Sequence, residues 1–378
     1  MSTYTLVKKY SHARAGILHT TRGDIPTPYF MPVGTRASVK GISQEILEEI
    51  NFSLILSNTY HLLLRPGHEL IEKDFQSLHQ FMSWKGPILT DSGGFQVYSL
   101  SKLNKVTEQG VQFNSPIDGT KHFLTPEFSM EIQKALGSDI VMAFDECLGL
   151  PASDSQIKKS MDRSMRWAAR CRNVPLKEHQ QLFGIVQGGL NLDFRKESLE
   201  KLVQINFDGY ALGGLSVGET PTQLRTVVNA IAPLMPEQKT RYLMGVGTPL
   251  DILDAIKAGI DLFDCVMPTR NARNGQAFTR FGKVNVKNAK YAKSTQPLDE
   301  TCLCSVCKRY SLGYIRHLIM VTEHLGGQLI SHHNLHFYRQ LVAKARESIL
   351  DSTFDEYYEK FYKDYHHSSI NKLGANNE

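Results

Sequence analysis

The stretch LFGIVQGG, Leu182–Gly189, decides the fold. It runs apolar without a break from Leu182 to Val186 and then stops at a glutamine and two glycines. A half-exposed strand would alternate polar and apolar residues; a short unbroken run is what a strand covered on both faces requires, as in a parallel sheet. Working outward, runs of the same kind begin at Phe30 (FMPVGT), Leu54 (LILSNTY), Pro87 (PILTDSGG), Asp139 (DIVMAFDEC), Gly209 (GYALGGLSV), Arg241 (RYLMGVGT) and Leu262 (LFDCVMP). The intervals are amphipathic and carry helix-start signals: Ser43 before QEILEEI, Thr125-Pro126 before EFSMEIQKAL, and Thr220-Pro221 before TQLRTVVNAI. Eight strand-like runs alternating with helices predict an α/β fold, a (β/α)8 or TIM barrel. An open doubly wound sheet would need a glycine fingerprint after its first strand, and RASVKG after Thr35 supplies none.

Several segments fall outside this repeat. Residues 1–29, with a turn at Thr21-Arg22-Gly23-Asp24, read as a hairpin closing the barrel bottom, and 30–270 as the barrel itself. Within it, about 98–124 carries two turn signals, Glu108-Gln109-Gly110 and Asp118-Gly119, between β-favouring runs and predicts a small antiparallel insertion. Residues 271–333 form a second, cysteine-bearing insertion, 334–365 read as C-terminal helices, and 366–378 as a disordered tail.

Composition narrows the class. The 378 residues are 41% hydrophobic and 21% charged, which excludes a disordered, collagenous or coiled-coil chain. MSTYTLVKKY lacks the apolar core of a secretory signal, and no apolar run reaches the length that spans a bilayer, so a soluble cytoplasmic protein is expected. The net charge of +5 is uneven: Cys265–Arg316 holds ten Lys/Arg against Asp299 and Glu300, leaving the remainder slightly acidic. A basic segment on such a body suits a polyanion, although a solvated loop would look the same.

In a barrel of this kind the reactive groups stand where strands end. Asp91, Asp145 and Asp264 each follow a predicted strand, as does Gln187, and glycine pairs at Gly93-Gly94, Gly188-Gly189 and Gly213-Gly214 accompany them. One such aspartate is more often a turn former or helix cap than a catalyst. Three at one mouth are different, because crowded carboxylates repel and are kept where a nucleophile and a proton carrier of different acidity are needed. Two carboxylates about 5 Å apart are the equipment for retaining substitution at an anomeric carbon. A metal-dependent amidohydrolase would want His-x-His at the first strand, and PVGTR has none.

Cys302, Cys304 and Cys307 put three sulfurs in one loop, with His332 and His333 downstream. Three sulfurs and one imidazole close a tetrahedral zinc site with no open position, hence a structural one; the spacing does not choose between the histidines.

Taken in order, these motifs resemble the bacterial tRNA-guanine transglycosylase family of queuosine biosynthesis. DSGGFQV at Asp91, FDEC within Phe144–Cys147, IVQGG at Ile185, GGLSVGE at Gly213, YLMGVGTP at Tyr242, DLFDCVMPTRNARNG at Asp261, and CxCxxC with HHNL carry the resemblance, from about Phe30 to about Tyr338. It implies exchange of the wobble guanine of GUN-anticodon tRNAs (Asp, Asn, His, Tyr) for 7-aminomethyl-7-deazaguanine, with Asp264 as nucleophile and Asp91 as general acid and base. It further implies that Asp145, Gln187 and the Gly214 amide read the polar edge of the base, with Phe95 and Met244 against its faces and Ser92, Gly93, Gly94 and Leu215 lining the pocket. Gly245, Val246, Gly247, Thr248, Pro249, Leu250 and Asp251, with Thr269, Arg270, Asn271, Ala272 and Arg273, would lie along the tRNA. The HNL context selects His333 as the zinc ligand, one structural zinc being the only cofactor implied, and Cys147 and Val217 favour the aminomethyl precursor. A homodimer and no membrane partner are expected. The rival from another class is a non-catalytic tRNA-binding partner subunit, against which the retention of all three aspartates counts; a zinc hydrolase using the cysteine site is a second.

Overall fold

The computed structural model describes residues 3–96 and 105–374, the last eight of these as backbone only. An antiparallel three-stranded sheet of β1 (Tyr4–Tyr10), β2 (Ala13–Leu18) and β3 (Ile25–Thr27) opens the chain, where a hairpin is the simpler reading of the sequence. The barrel strands follow: β4 (Tyr29–Met31), β5 (Val33–Gly34), β6 (Ile55–Ser57) and β7 (Ile88–Thr90). After an antiparallel insertion of β8 (Lys105–Val106), β9 (Val111–Asn114) and β10 (Lys121–Leu124) come β11 (Ile140–Met142), β12 (Gln181–Val186), β13 (Gly209–Leu212), β14 (Thr240–Leu243) and β15 (Leu262–Asp264). Residues 97–104, the first part of the predicted insertion, lie outside the described residues.

The parallel sheet runs β4-β15-β14-β13-β12-β11-β7-β6-β5. Its two ends, β4 and β5, are pieces of one strand interrupted at Pro32, which has no N–H for the ladder. The carbonyl of Pro32 still accepts from Leu56 N at 3.0 Å. The ring therefore closes, and the eight runs read from the sequence are its eight strands. Their burial explains their composition: every residue of β12 and β13 is buried, the ring's interior on one side and a layer of helices on the other. Those helices start as their sequences require. The side chains of Thr125 and Thr220 cap Pro126–Leu136 and Pro221–Ile231, and Ser153 forms a capping box with Gln156 on Asp154–Arg172. Ser43 stands at the N-cap of Gln44–Glu49 but its hydroxyl makes no capping bond.

The N-terminal sheet is tied to the barrel bottom by a buried pair. Arg14 Nε donates to Asp261 Oδ1 at 3.0 Å and the Tyr4 hydroxyl donates to the same oxygen at 2.9 Å. Asp261 stands immediately before β15, and removing one member of such a pair costs about 3–5 kcal/mol because the other is left charged and dry.

The basic insertion has an apolar core of its own. The hairpin β16 (Gln276–Thr279) and β17 (Gly282–Asn285) and the helices Ser305–Arg309 and Leu312–Met320 gather Ala277, Val286, Leu298, Val306, Ile315 and Ile330. The helix His324–Leu350 serves both cores, since Ile330 belongs to the insertion while Leu335 to Ile349 pack on the barrel. The boundary expected at 333/334 thus falls inside one helix: His333, on its buried face, belongs with the cysteines. The last helix, Phe354–Gly374, extends into the segment read as a tail, and 375–378 lie outside the described residues. Among the described residues no helix is long and apolar enough to cross a membrane.

Candidate active site and metal centre

Six consecutive strands of the ring each send one of the sequence-predicted residues to the same rim: Asp91 after β7, Asp145 after β11, Gln187 after β12, Gly214 after β13, Met244 after β14 and Asp264 at the end of β15. Parallel strands put all these ends on one face, so residues up to 173 positions apart share a mouth.

Asp91 is 9% exposed. Its Oδ1 accepts from Thr59 N at 2.9 Å, its Oδ2 from the Asn58 side-chain amide, and the Thr59 hydroxyl donates to its carbonyl. Asn58 and Thr59 follow β6, and neither is singled out by sequence reading, although LSNTY ends a strand as PILTD does. Burial pushes the Asp91 carboxyl up to about 7; the Thr59 and Gly93 amides pull against that rise, and the carboxylates of Asp264 and Asp145 add to it. Asp91 therefore senses the other two aspartates across the mouth.

Asp264 carries its contacts on one oxygen. The Tyr242 hydroxyl donates to Oδ1 at 2.5 Å and Gly245 N at 2.8 Å, whereas Oδ2 has no donor among the described residues. Burial raises this carboxyl, opposed by the same two donors. Tyr242, inside the barrel at the end of β14, is a second group that the sequence reading passes over. The arrangement fixes one oxygen of Asp264 and leaves the other presented.

Asp145 and Gln187 form a unit. Gln187 Nε2 donates to Asp145 Oδ2 at 2.7 Å and the Ser92 hydroxyl to Oδ1 at 3.3 Å. Burial raises Asp145 to about 6 against these two donors. Gly214 must be glycine here: its φ is +62°, and a Cβ would lie 2.3 Å from Gln187 Oε1. The same holds sterically for Gly94, whose Cβ would stand 2.4 Å from the Asp145 carbonyl. Gly93 and Ser92 are buried beside them, Leu215 is buried, Met244 half-buried, and Phe95 is 46% exposed, an apolar ring offered to solvent at the rim.

The residues expected along an RNA divide. Gly245, Arg270 and Arg273 are exposed. Val246, Gly247, Pro249, Thr269 and Ala272 are buried and pack the two loops, while Leu250 and Asn271 are half-buried, the latter bonded to Gln276. Thr248 and Asp251 cap the helix Pro249–Ala258. The side-chain surface left to a partner is thus the glycine loop and the two arginines.

Cys302, Cys304, Cys307 and His333 bring their ligand atoms within 4.8 Å of one another. His333 Nδ1 lies 3.3 Å from Cys307 Sγ and 3.7 Å from Cys304 Sγ, and its Nε2 lies 2.8 Å from the Phe278 carbonyl. A carbonyl can only accept, so Nε2 carries the hydrogen and the Nδ1 lone pair faces the sulfurs. His332 is directed elsewhere, to Ser305 Oγ at 3.3 Å. Four soft donors, three of them mutually repulsive as thiolates, fit a single thiophilic cation, so the cluster can hold a metal ion with no position left open. Next along the chain, Asn334 Nδ2 donates to the Pro268 and Gln276 carbonyls at 2.9 and 3.1 Å, and its Oδ1 accepts from Phe278 N at 2.8 Å. A cavity of about 390 Å³ between the helices His324–Leu350 and Phe354–Gly374 and the segment Asp299–Leu303 contains none of the rim carboxylates.

Comparison with known proteins agrees with this geometry. The family model described as queuine tRNA-ribosyltransferase matches residues 9–367. The chain is 53% identical over 356 residues to a queuine tRNA-ribosyltransferase of Natranaerobius thermophilus, covering 94% of this chain and 96% of that one. It is 52% identical to one from Thermoanaerobacter sp. (96% and 97% covered) and 51% identical to one from Shouchella clausii (99% and 98%). With a family match over nearly its whole length and relatives about half identical across it, the chain belongs to the queuine tRNA-ribosyltransferase family, the tRNA-guanine transglycosylases.

Proposed function

We propose that this enzyme exchanges the wobble guanine of GUN-anticodon tRNAs, those for Asp, Asn, His and Tyr, for 7-aminomethyl-7-deazaguanine through a covalent aspartyl-ribose intermediate. The observation that carries the reading is the pairing of Asp264, with one oxygen fixed and one presented, and Asp91, whose carboxyl is poised near neutrality. Asp264 Oδ2 attacks the ribose C1′ as the glycosidic bond breaks; the bonding electron pair leaves with the base, which takes a proton from Asp91. The incoming base returns a proton to Asp91 as its nitrogen attacks C1′ and the ester to Asp264 breaks. Near pH 7 an acid of this strength serves both half-reactions. One N-glycosidic bond replaces another, so no nucleotide is consumed.

Asp145 accepts from the adjacent donors of the base, Gln187 and the Gly214 amide donate to its carbonyl, and Phe95 and Met244 lie against its faces. Arg270, Arg273 and the basic insertion meet phosphates, so affinity falls steeply with salt. Zinc at Cys302, Cys304, Cys307 and His333 would supply charge neutralisation and cross-linking, not reaction chemistry. The enzyme works in the cytoplasm as a homodimer.

The test is incorporation of labelled guanine into unmodified tRNA, with a denaturation-resistant protein–tRNA adduct sought in parallel. Incorporation with an adduct is expected, and loss of both in Asp264→Asn. An intact protein that binds tRNA but forms neither would be the non-catalytic partner subunit instead.

A further inference from the structure

The buried face of the helix Leu192–Ile205 carries a charge. Arg195 is 0% exposed, on the same face as Ser198, Leu199 and Leu202. Among the described residues its guanidinium meets only main-chain carbonyls: Nε donates to Gly189 O at 2.9 Å, Nη1 to Val186 O at 2.8 Å and to Gly213 O at 2.7 Å, and Nη2 to Gly214 O at 3.2 Å. Burial lowers its pKa to about 10, which leaves it charged at neutral pH.

A dry cation hydrogen-bonded to no carboxylate, with Glu219 favouring its charge only through space, costs several kcal/mol. The position of its contacts gives the reason. Val186 and Gly189 flank Gln187, and Gly213 and Gly214 form the next loop, so one planar fork fixes both loops that face the base. The Gly213 carbonyl and the Gly214 N–H are, moreover, the two ends of one peptide group. A cation on the oxygen withdraws electron density through the amide and strengthens the N–H as a donor. That N–H has no acceptor among the described residues, and Gly214 is half-buried at the mouth.

We propose that Arg195 is a positioning residue for the exchange reaction: through the Gly213–Gly214 peptide it aims and strengthens the Gly214 N–H toward the ring carbonyl of the base, and so stabilises the negative charge the base carries as it leaves. The proposal rests on the reading of the reaction given above. It assigns the cation a role at a distance, with the proton still delivered by Asp91.

Two variants separate this from a merely structural role. Arg195→Gln keeps two N–H donors without charge; Arg195→Lys keeps the charge without the fork. Inhibition by guanine is compared with inhibition by 2-aminopurine, which lacks the ring carbonyl. Loss of one hydrogen bond from a charge-polarised donor corresponds to about 30-fold, so Arg195→Gln should weaken guanine by about that factor and slow kcat at least as much. It should leave 2-aminopurine and the KM for tRNA within about twofold, with Arg195→Lys between it and the unmodified enzyme. Equal weakening of both bases, or an unchanged kcat, would overturn the proposal. If neither variant folds, the Gly214 amide resonance of the unmodified enzyme decides: guanine should move it downfield and 2-aminopurine should not, and equal shifts overturn the idea. Failure of the unmodified enzyme to exchange any guanine would instead overturn the proposed function beneath it.

Discussion

The barrel mouth and the sulfur cluster face the same difficulty, acidic groups held at close quarters, and resolve it in opposite ways. At the cluster, three thiols and an imidazole drawn from Cys302–Cys307 and His333 are placed to hold a single cation, which would remove the repulsion. At the mouth, Asp91, Asp145 and Asp264 have no cationic side chain bonded to them among the described residues; burial holds all three carboxyls above the usual range, and at Asp91 the charges of the other two add to it. A compensated cluster is inert and strong, an uncompensated one reactive and costly. The contrast separates the part that holds the molecule together from the part that works.

The contrast can be broken most severely at Asp264. In Asp264→Asn the amide oxygen can keep the bonds from Tyr242 and Gly245 while the oxygen proposed to attack C1′ is gone. Exchange should fall by about 10⁴-fold or more, as for loss of a covalent nucleophile, and the unfolding midpoint in urea at pH 8 should rise, because a buried charge has been removed.

Cys304→Ser attacks the other region. Structural zinc contributes on the order of 10 kcal/mol to small modules, so limited proteolysis should open 271–320 while the far-ultraviolet signal of the barrel persists. Survival of the insertion intact without metal would show that its apolar core suffices.

A subtler comparison uses pH. If Asp91 must be protonated and Asp145 ionised for the base to leave tRNA, kcat/KM should be bell-shaped with flanks near 6 and 7. Both carboxyls bind protons more tightly folded than unfolded. Their contribution to stability is therefore fully present below pH 4 and lost as pH rises through about 6 to 7, which urea titrations across that range would measure. The smallest effect is expected at the rim. Arg270→Ala should weaken tRNA binding by a few-fold and reduce the slope of log affinity against log salt by about one, without changing kcat.

Much of this was legible because it is periodic or local. The strand runs were unbroken, as burial on two faces demands, and parallel order then put Asp91, Asp145, Gln187 and Asp264 at one rim without further information. The cysteine loop announced itself by spacing. What escaped has one physical character: groups whose role is set by the interior that forms around them. Tyr242 reads as an ordinary strand aromatic until its hydroxyl meets Asp264, and Arg195 as one more charge on an amphipathic helix, although its register with Ser198, Leu199 and Leu202 places it on the buried stripe. The extent of His324–Leu350 escaped for a related reason, since nothing in HHNLHFYRQL breaks a helix at the point where one core gives way to the next.

His333 and Asn334 are neighbours, the first gripped by sulfur and the second pinned to the carbonyl of Pro268, four residues beyond Asp264. Coordination lengths vary by only about 0.2 Å, so an ion that touches no substrate would act as a gauge block. It would set the clearance between the ridge of Arg270 and Arg273 and the aspartates, and with it the height at which the proposed tRNA substrate would meet them.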